Sequence, residues 1–236
     1  MIEFLKKIVT EATKLTNKSF EVHAKDDMGD LVTNLDLEVE KFLIKKLKES
    51  YPDYDIVSEE FNSKKHVTNN CFTIDPIDGT INFANGLPLW AIQVACVQNG
   101  ETVASVISLP KFNELYWADK NGAYLNGKQI HVREIDIKNA IYTVEGSKHL
   151  EIMQNMRDFT YKDRRYGSVG VAFCFTAASR LHGAVFVSDN VWDYEPGLYL
   201  IKQAGGVTKS VNGFHAGAMN KEFLDMLEKA TIASRE

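Results

Sequence analysis

The chain has 236 residues, of which 32 are Asp or Glu and 27 are Lys or Arg, so its formal net charge is −5. Hydrophobic residues at 44% and charged residues at 25% are typical of a globular protein and exclude a disordered one. The acidic balance argues against broad nucleic-acid binding, because a phosphate backbone is held by surplus Lys and Arg.

The cysteines and the N-terminal residues indicate the cellular compartment of the protein. Cys71, Cys96 and Cys174 form no CxxC pair and have apolar neighbours, which predicts buried free thiols in a reducing compartment. The segment up to Leu15 is amphipathic, carries Glu3 and lacks the apolar core of a signal peptide. No apolar run approaches the ~18 residues that a membrane span needs. We therefore expect a cytoplasmic protein that does not enter a membrane.

Two helices are predicted in the first 50 residues. The second carries an apolar stripe at three- and four-residue spacing: Val32, Leu35, Val39, Phe42, Leu43 and Leu47. It ends at Tyr51, because the residue before a proline avoids helical angles. A short strand is expected at residues 55–58. A second strand at 71–74 runs into Asp75, after which Pro76 is expected to fix a turn.

Strands dominate from residue 89 to about 125, where Asn99-Gly100 is a strong hairpin signal within an antiparallel meander. Mixed α/β structure follows. Strands are expected at 141–145, 161–165 and 183–187. Helices are expected from about 148, at 168–179, and from about 193 to a Gly205-Gly206 cap. No linker interrupts the chain. We therefore expect a single domain over 1–236, with an N-terminal α+β half of about 1–135 and a C-terminal α/β half of about 136–236.

The most informative stretch is the end of the strand that contains Asp75. Asp75 and Asp78 sit three residues apart and can converge on one point, where they repel unless a cation lies between them. Hard oxygen ligands of this kind suit Mg²⁺. Gly79 and Thr80 then open a predicted helix whose N–H groups could hold a phosphate. The simpler alternative is an Asp-Gly turn between a strand and a helix.

Three further acids lie at or near the ends of predicted strands and helices. Glu59 follows the strand at 55–58, Asp36 lies within the second helix, and Asp193 opens a late helix. Each has a plain structural interpretation as well, since Asp is a favoured helix N-cap and Asp36 could be solvated. Taken alone, none of the three predicts a function.

The joint pattern resembles the inositol monophosphatase family of Mg²⁺-dependent, lithium-sensitive phosphatases. Its marks are a DPIDGT turn at 75–80 followed by Asn82-Phe83, an upstream EE pair, a DLVT helix with an Asp, and a downstream WD element. The resemblance extends from about residue 25 to 206. It implies an α+β fold, the layered α-β-α-β-α sandwich of the inositol monophosphatase/fructose-1,6-bisphosphatase type, and a homodimer.

The resemblance also implies roles for particular residues. The ligands of two or three Mg²⁺ ions would be Glu59, Asp75, the Ile77 carbonyl, Asp78 and Asp193. The catalytic residues would be Thr80, Asp36 and Glu59, the first two orienting a water that attacks phosphorus directly. The substrate contacts would be Asp78, Gly79, Thr80, Gly170, Val171, Ala172 and Asp193. Lys25 would belong to a mobile loop that closes over the site.

One departure from the family affects the substrate. Phe186 stands where many relatives carry a Glu that binds a ring hydroxyl of inositol, so phosphatase activity is better supported than inositol specificity. Inositol monophosphate is the default small phosphorylated metabolite. The alternatives are the 2′-phosphate of NADP, fructose 1,6-bisphosphate, 3′-phosphoadenosine 5′-phosphate and histidinol phosphate.

Two other functions are weaker hypotheses. A haloacid-dehalogenase-like phosphatase would place a nucleophile in a DxDG motif, whereas Asp75 and Asp78 here are one residue further apart. A protein that binds nucleic acid or the transcription machinery would need a basic surface, for which only Arg164-Arg165 and Lys45-Lys46 qualify. The six His lack ligand spacing, so zinc is not expected.

Overall fold

The computed structural model describes residues 1–24 and 31–234; Lys25, the predicted mobile-loop residue, lies outside the described residues. Within this part of the chain the helices are α1 (Ile2–Leu15), α2 (Asn34–Ser50), α3 (Thr80–Ala84), α4 (His149–Asn155), α5 (Val169–Ala177), α6 (Val191–Gln203) and α7 (Lys221–Ala233).

The strands form three sheets. A small antiparallel pair consists of β1 (Val22–Ala24) and β2 (Leu31–Thr33). A seven-stranded sheet follows chain order, with a parallel first pair and antiparallel neighbours thereafter: β3 (Asp55–Ser58), β4 (Asn70–Asp78), β5 (Ala91–Gln98), β6 (Glu101–Leu109), β7 (Glu114–Asp119), β8 (Gly122–Leu125) and β9 (Lys128–Ile130). A mixed five-stranded sheet has the order β11-β10-β12-β14-β13, from β10 (Tyr142–Gly146), β11 (Asp163–Arg164), β12 (Gly183–Val187), β13 (Val207–Val211) and β14 (Phe214–Ala218).

Helices cover both faces of the two large sheets. α1 and α2 pack on the outer face of the seven-stranded sheet, and α4 and α7 cover the outer face of the five-stranded sheet. α5 and α6 lie between the sheets, in a core that joins Ala91 and Tyr116 of the large sheet to Phe173 and Leu200 of the helices. The order of layers is α-β-α-β-α, which confirms the predicted fold. The single-domain assignment stays a prediction.

The predicted stripe of α2 is confirmed, because Leu35, Val39 and Leu43 are fully buried. The predicted place of Val32 on this helical stripe is wrong. Val32 lies in β2, and α2 begins only at Asn34, because Thr33 is its N-cap and accepts the N–H groups of the first turn through its hydroxyl. β2 pairs with β1, so the segment before the cap is extended.

Two smaller expectations concern the interior and the membrane. All three cysteines are free and buried, as predicted. Among the described helices, none combines the length and the apolar composition needed to cross a bilayer.

Candidate active site

Asp75 and Asp78 lie on the same face of β4 because the strand contains a β-bulge. Asp75 pairs with Gln93 of β5 and Asp78 with Ala91, so three steps on one strand match two on the other. Side chains alternate along a regular strand, and one extra residue therefore brings positions i and i+3 to one face. The predicted turn at Pro76 is thus wrong. The strand continues to Asp78, since a bulge tolerates a proline that cannot donate to the ladder.

Asp193 reaches the same point from another layer. Asp193 lies in the first turn of α6, and Asn190 is the N-cap of this helix. The backbone carbonyl of Asp193 accepts a hydrogen bond from Gln93 Nε2 at 3.3 Å. One carboxylate oxygen from each of Asp75, Asp78 and Asp193 lies within 4.8 Å of the others. The three acids therefore form one cluster between the sheet and the middle helix layer.

A cleft of about 240 Å³ opens onto this cluster. Its lining residues are Glu59, Asp75, Ile77, Asp78, Gly79, Thr80, Ile81, Gly167, Asn190 and Asp193. Glu59 follows β3, and β3 runs parallel to β4. The acids at the ends of these two strands therefore lie at the same edge of the sheet. The structure thus brings together the acids predicted at 59, 75, 78 and 193.

Asp75 is buried beside other acids. Burial raises its pKa well above the usual range, and the negative charges of Glu59, Asp78 and Asp193 raise it further. Its Oδ1 is buried and has no hydrogen-bond partner among the described residues. A buried, unpaired carboxylate oxygen beside two other carboxylates is the donor set that a hard divalent cation requires. The residues present therefore fit a Mg²⁺ site.

Asp78 also caps α5. Ser168 Oγ and the Gly170 N–H donate to its Oδ2, and the Val169 N–H donates to its Oδ1 at 3.0 Å. Burial raises the pKa of Asp78 to about 6, although these three hydrogen bonds favour the ionised form and oppose the rise. Because each carboxylate oxygen has two lone pairs, one lone pair on Oδ1 remains for a ligand.

Thr80 connects α3 to the buried Asp36. The Thr80 hydroxyl lies 3.2 Å from Asp36 Oδ1 and 3.0 Å from the carbonyl oxygen of Ile77, and it can donate its one proton to either. Asp36 is held in turn by the backbone N–H and hydroxyl of Thr33 in a capping box at the start of α2. Burial raises the pKa of Asp36. Asp36 is therefore a buried acceptor rather than a solvated one.

Two features favour glycine at position 79. Gly79 is the N-cap of α3 with φ +88°, a left-handed conformation that favours glycine. A Cβ at this position would also lie only 3.0 Å from the carbonyl oxygens of Gly167 and Leu89. The first N–H groups of α3, including that of Thr80, have no partner within the helix and lie at the edge of the cleft.

The predicted contacts to the alcohol part of the substrate lie in α5. Gly170, Val171 and Ala172 are buried in its first turns, and their N–H groups donate to Asp78, to Ser168 Oγ and to the Ser168 carbonyl. Contact between these residues and a substrate stays a prediction. Phe186 is only 5% exposed, and its side chain packs in the central core.

Two buried acids behind the site were not predicted. Glu40 accepts hydrogen bonds from the turn that contains Glu59. Glu145 of β10 accepts the N–H groups of Tyr166 and Gly167 at 2.8 and 3.0 Å, and burial raises its pKa. Glu145 thereby holds the loop that lines the cleft and leads into α5. One signal of Glu40 is present in the sequence, because this residue lies one helical turn after Asp36 on the apolar face of α2.

Comparison with known proteins points to one family. The model of the inositol monophosphatase family matches residues 2–234. A fructose-1,6-bisphosphatase/inositol-1-monophosphatase of Thermotoga maritima is 33% identical over 210 residues, covering 86% of this chain and 80% of the relative. An inositol-1-monophosphatase of Bacillus subtilis is 31% identical over 226 residues, covering 89% and 85%. A Nus factor SuhB of Pasteurella multocida is 30% identical over 203 residues, covering 80% and 74%.

Solved structures share the fold. An IMPase of Thermotoga maritima, 27% identical, superposes with a TM-score of 0.87 over 98% of both chains. An IMPase/NADP phosphatase complexed with Mg²⁺ and phosphate is 21% identical, with a TM-score of 0.82 over 96% of this chain and 91% of that one.

Proposed function

Since the chain belongs to the inositol monophosphatase family and is a phosphoric monoester hydrolase, we propose that it dephosphorylates a small metabolite at the cleft of Asp75, Asp78 and Asp193. Inositol monophosphate is the default substrate. The single observation that supports this location is the convergence of the three carboxylates within 4.8 Å.

Magnesium is the proposed cofactor, in two or three ions, with Glu59, Asp75, the Ile77 carbonyl, Asp78 and Asp193 as ligands. None of the described residues that line the cleft is a Lys or Arg, so these residues offer no positive charge to a phosphate dianion. When bound, Mg²⁺ supplies Lewis-acid stabilisation of the phosphoryl oxygens and activates water at neutral pH. A protein of the same fold has been solved with Mg²⁺ and phosphate, which supports the proposal.

The chain's own groups orient the reactants. When the Thr80 hydroxyl donates its proton to the buried carboxylate of Asp36, the lone pairs of its oxygen are left to accept a hydrogen bond from the attacking water, which orients that water. Asp36, fixed by Thr33, keeps the Thr80 hydroxyl in one rotamer. The N–H groups of Gly79 and Thr80 are proposed to hold the phosphate, which positions phosphorus in line with that water. Glu59 is proposed to act beside them as the third catalytic residue.

The alcohol part of the substrate is proposed to lie towards α5 and α6, where Gly170, Val171, Ala172 and Asp193 would contact it. Phe186 provides no charged or hydrogen-bonding side chain there, so discrimination among phosphate esters depends on other groups. One relative is named a fructose-1,6-bisphosphatase/inositol-1-monophosphatase, and one protein of the same fold is named an IMPase/NADP phosphatase. Inositol monophosphate, fructose 1,6-bisphosphate and NADP therefore belong to the panel to be tested.

The test is phosphate release from purified protein with inositol monophosphate, fructose 1,6-bisphosphate, NADP, 3′-phosphoadenosine 5′-phosphate and histidinol phosphate. Each substrate is assayed with Mg²⁺, with EDTA, and with Mg²⁺ plus Li⁺. We expect release that needs Mg²⁺ and that falls with Li⁺. Equal rates in EDTA, or full activity of Asp78→Asn with its preferred substrate, would overturn the proposed site. Trapping of an aspartyl-phosphate at Asp75 would overturn direct attack by water.

Three further properties are proposed on the family resemblance: inhibition by lithium, a homodimer and a cytoplasmic location. The relatives named Nus factor SuhB raise a second function, binding to the transcription machinery. The net charge of −5 and the two short basic pairs argue against nucleic acid as the direct partner. No measurable affinity for RNA at near-physiological salt would remove that part of the alternative.

A further inference from the structure

Glu40 is a fully buried acid on the face of α2 that packs against the seven-stranded sheet. It lies one helical turn after Asp36, so both side chains leave the same face of the helix. Asp36 contacts Thr80. Glu40 contacts the turn that follows β3 and contains Glu59.

Three groups of that turn donate to the Glu40 carboxylate. The Ser58 hydroxyl and the Phe61 N–H donate to Oε1 at 2.5 and 2.8 Å, and the Glu60 N–H donates to Oε2 at 2.9 Å. The donors come from both neighbours of Glu59 and from the residue after them. A second support is the Glu59 N–H, which donates to the carbonyl of Ile74 at 3.3 Å. The backbone of Glu59 is therefore fixed from two sides.

We propose that Glu40 is a positioning residue for the metal site: it holds the turn so that the Glu59 carboxylate stays in the cleft with Asp75. This inference rests on the proposed function, since it assumes that Glu59 binds Mg²⁺. α2 then supports the site twice, through Asp36 at the reacting water and through Glu40 at a ligand. Residues that orient a metal ligand commonly change metal affinity by about 10–100-fold.

Both oxygens of the Glu40 carboxylate accept hydrogen bonds from the turn, so an amide cannot replace it without loss. In Glu40→Gln one of these oxygens becomes an NH₂ group, which faces an N–H or O–H donor and leaves it unpaired. The turn must then shift or lose a hydrogen bond, although the volume of the side chain is unchanged. Glu38→Gln is the matched control, since it makes the same substitution two residues earlier, on a partly exposed side chain that pairs with Lys18.

The test measures Mg²⁺ binding by calorimetry and Mg²⁺ activation by phosphate release, for wild type, Glu40→Gln, Glu38→Gln and Ser58→Ala. We expect Glu40→Gln to weaken Mg²⁺ binding about tenfold or more, with much of the wild-type kcat restored at saturating Mg²⁺. Ser58→Ala, which removes one of the three donors, should weaken binding less. It also keeps the proposal testable if Glu40→Gln does not fold. Equal Mg²⁺ affinities in Glu40→Gln and Glu38→Gln, or in Ser58→Ala and wild type, would overturn the proposal.

A double-mutant cycle with Glu59→Gln separates positioning from a general loss of stability. If Glu40 acts through Glu59, the effect of Glu40→Gln on Mg²⁺ affinity disappears in the Glu59→Gln background. Additive effects would overturn the inference. If Glu59→Gln alone leaves Mg²⁺ affinity unchanged, the ligand assignment of the proposed function fails as well. If Glu59→Gln weakens binding and Glu40→Gln does not, only the positioning role fails.

Discussion

The Gly170 N–H donates to Asp78 Oδ2 at 2.7 Å, although 92 residues separate the two in the chain. The same carboxylate accepts from Val169 and Ser168, so Asp78 is at once a member of the acidic cluster and the anionic cap of α5. A negative charge at a helix N-terminus is stabilised by the helix dipole and by the unpaired N–H groups. Asp78 therefore remains oriented before any cation binds.

Asp78→Asn is expected to abolish most of the phosphatase activity. The amide keeps the volume of the side chain but supplies no charge to a cation. The expected loss of transition-state stabilisation is several kcal/mol, which lowers kcat/KM by about 10²–10³-fold. Phosphate release at saturating Mg²⁺ measures it. Asp158→Asn, the same change at an exposed position, is the control and should keep wild-type activity. Activity within about threefold of wild type in Asp78→Asn would contradict the prediction.

Asp75→Asn is expected to stabilise the metal-free protein while it removes activity. Burial and three neighbouring acids raise the pKa of Asp75 well above its usual range, so its charge opposes folding at neutral pH when no cation is present. Thermal unfolding in EDTA at pH 7.5 should give a higher Tm for Asp75→Asn than for wild type. Saturating Mg²⁺ should raise the Tm of wild type much more than that of the variant. A lower Tm of the variant in EDTA would count against this account.

The metal-free protein should become more stable as the pH falls from 7.5 to 5.5. The pKa of Asp78 is raised from 3.8 to about 6 in the folded state, so its contribution to stability is complete below 3.8 and is lost as the pH rises through about 6. The raised pKa of Asp75 acts in the same direction. Urea unfolding in EDTA measures the trend, and Asp78→Asn should flatten it. A trend of equal slope in wild type and Asp78→Asn would exclude Asp78 as its source.

Mg²⁺ affinity should follow the opposite trend. A cation competes with protons for the Asp75 and Asp78 carboxylates, so binding weakens as the pH falls through the range in which they take up protons. Calorimetry at pH 7.5 and 5.5 measures the two dissociation constants. Proton release on binding at pH 5.5 should exceed that at pH 7.5. The same affinity at both values would show that these carboxylates do not bind the ion.

Gly79→Ala should destabilise the protein more than Gly86→Ala does. Both glycines have positive φ, +88° and +73°, so both substitutions incur about 1–2 kcal/mol for a left-handed alanine. Only at Gly79 does the new Cβ meet two carbonyl oxygens at 3.0 Å, whereas Gly86 has open space around it. We expect a further ~1–3 kcal/mol for Gly79→Ala in urea unfolding, together with reduced kcat. Equal losses of unfolding free energy in the two variants would mean that the loop at Gly167 moves aside without a measurable cost.

Local sequence patterns predicted the parts of the structure that depend on neighbouring residues. The stripe of α2 follows from helical periodicity, and the predicted strand at 183–187 matches β12. The acids at 59, 75, 78 and 193 were identified through a family resemblance. Their convergence needed the tertiary structure, since they come from the turn after β3, from β4 and from α6.

The features that were missed depend on partners distant in the chain. The bulge between Asp75 and Asp78 is defined by the register of β5, which the sequence of β4 alone does not specify. Glu40 and Glu145 accept hydrogen bonds from backbone groups about twenty residues away, and backbone donors leave no pattern in a sequence. Thr33 and Asp36 did carry a local signal, because a Thr followed three residues later by an acid is a helix-start pattern.

The acidic cluster takes members from two structural layers, with Asp75 and Asp78 on the sheet and Asp193 on α6. A cation held by all three would act as a cross-link between those layers. Amide hydrogen exchange should then slow on Mg²⁺ addition in two separate segments at once, the end of β4 and the first turn of α6. Local opening of either segment would break the cross-link, so the two segments would open together in the metal-bound protein and independently in EDTA.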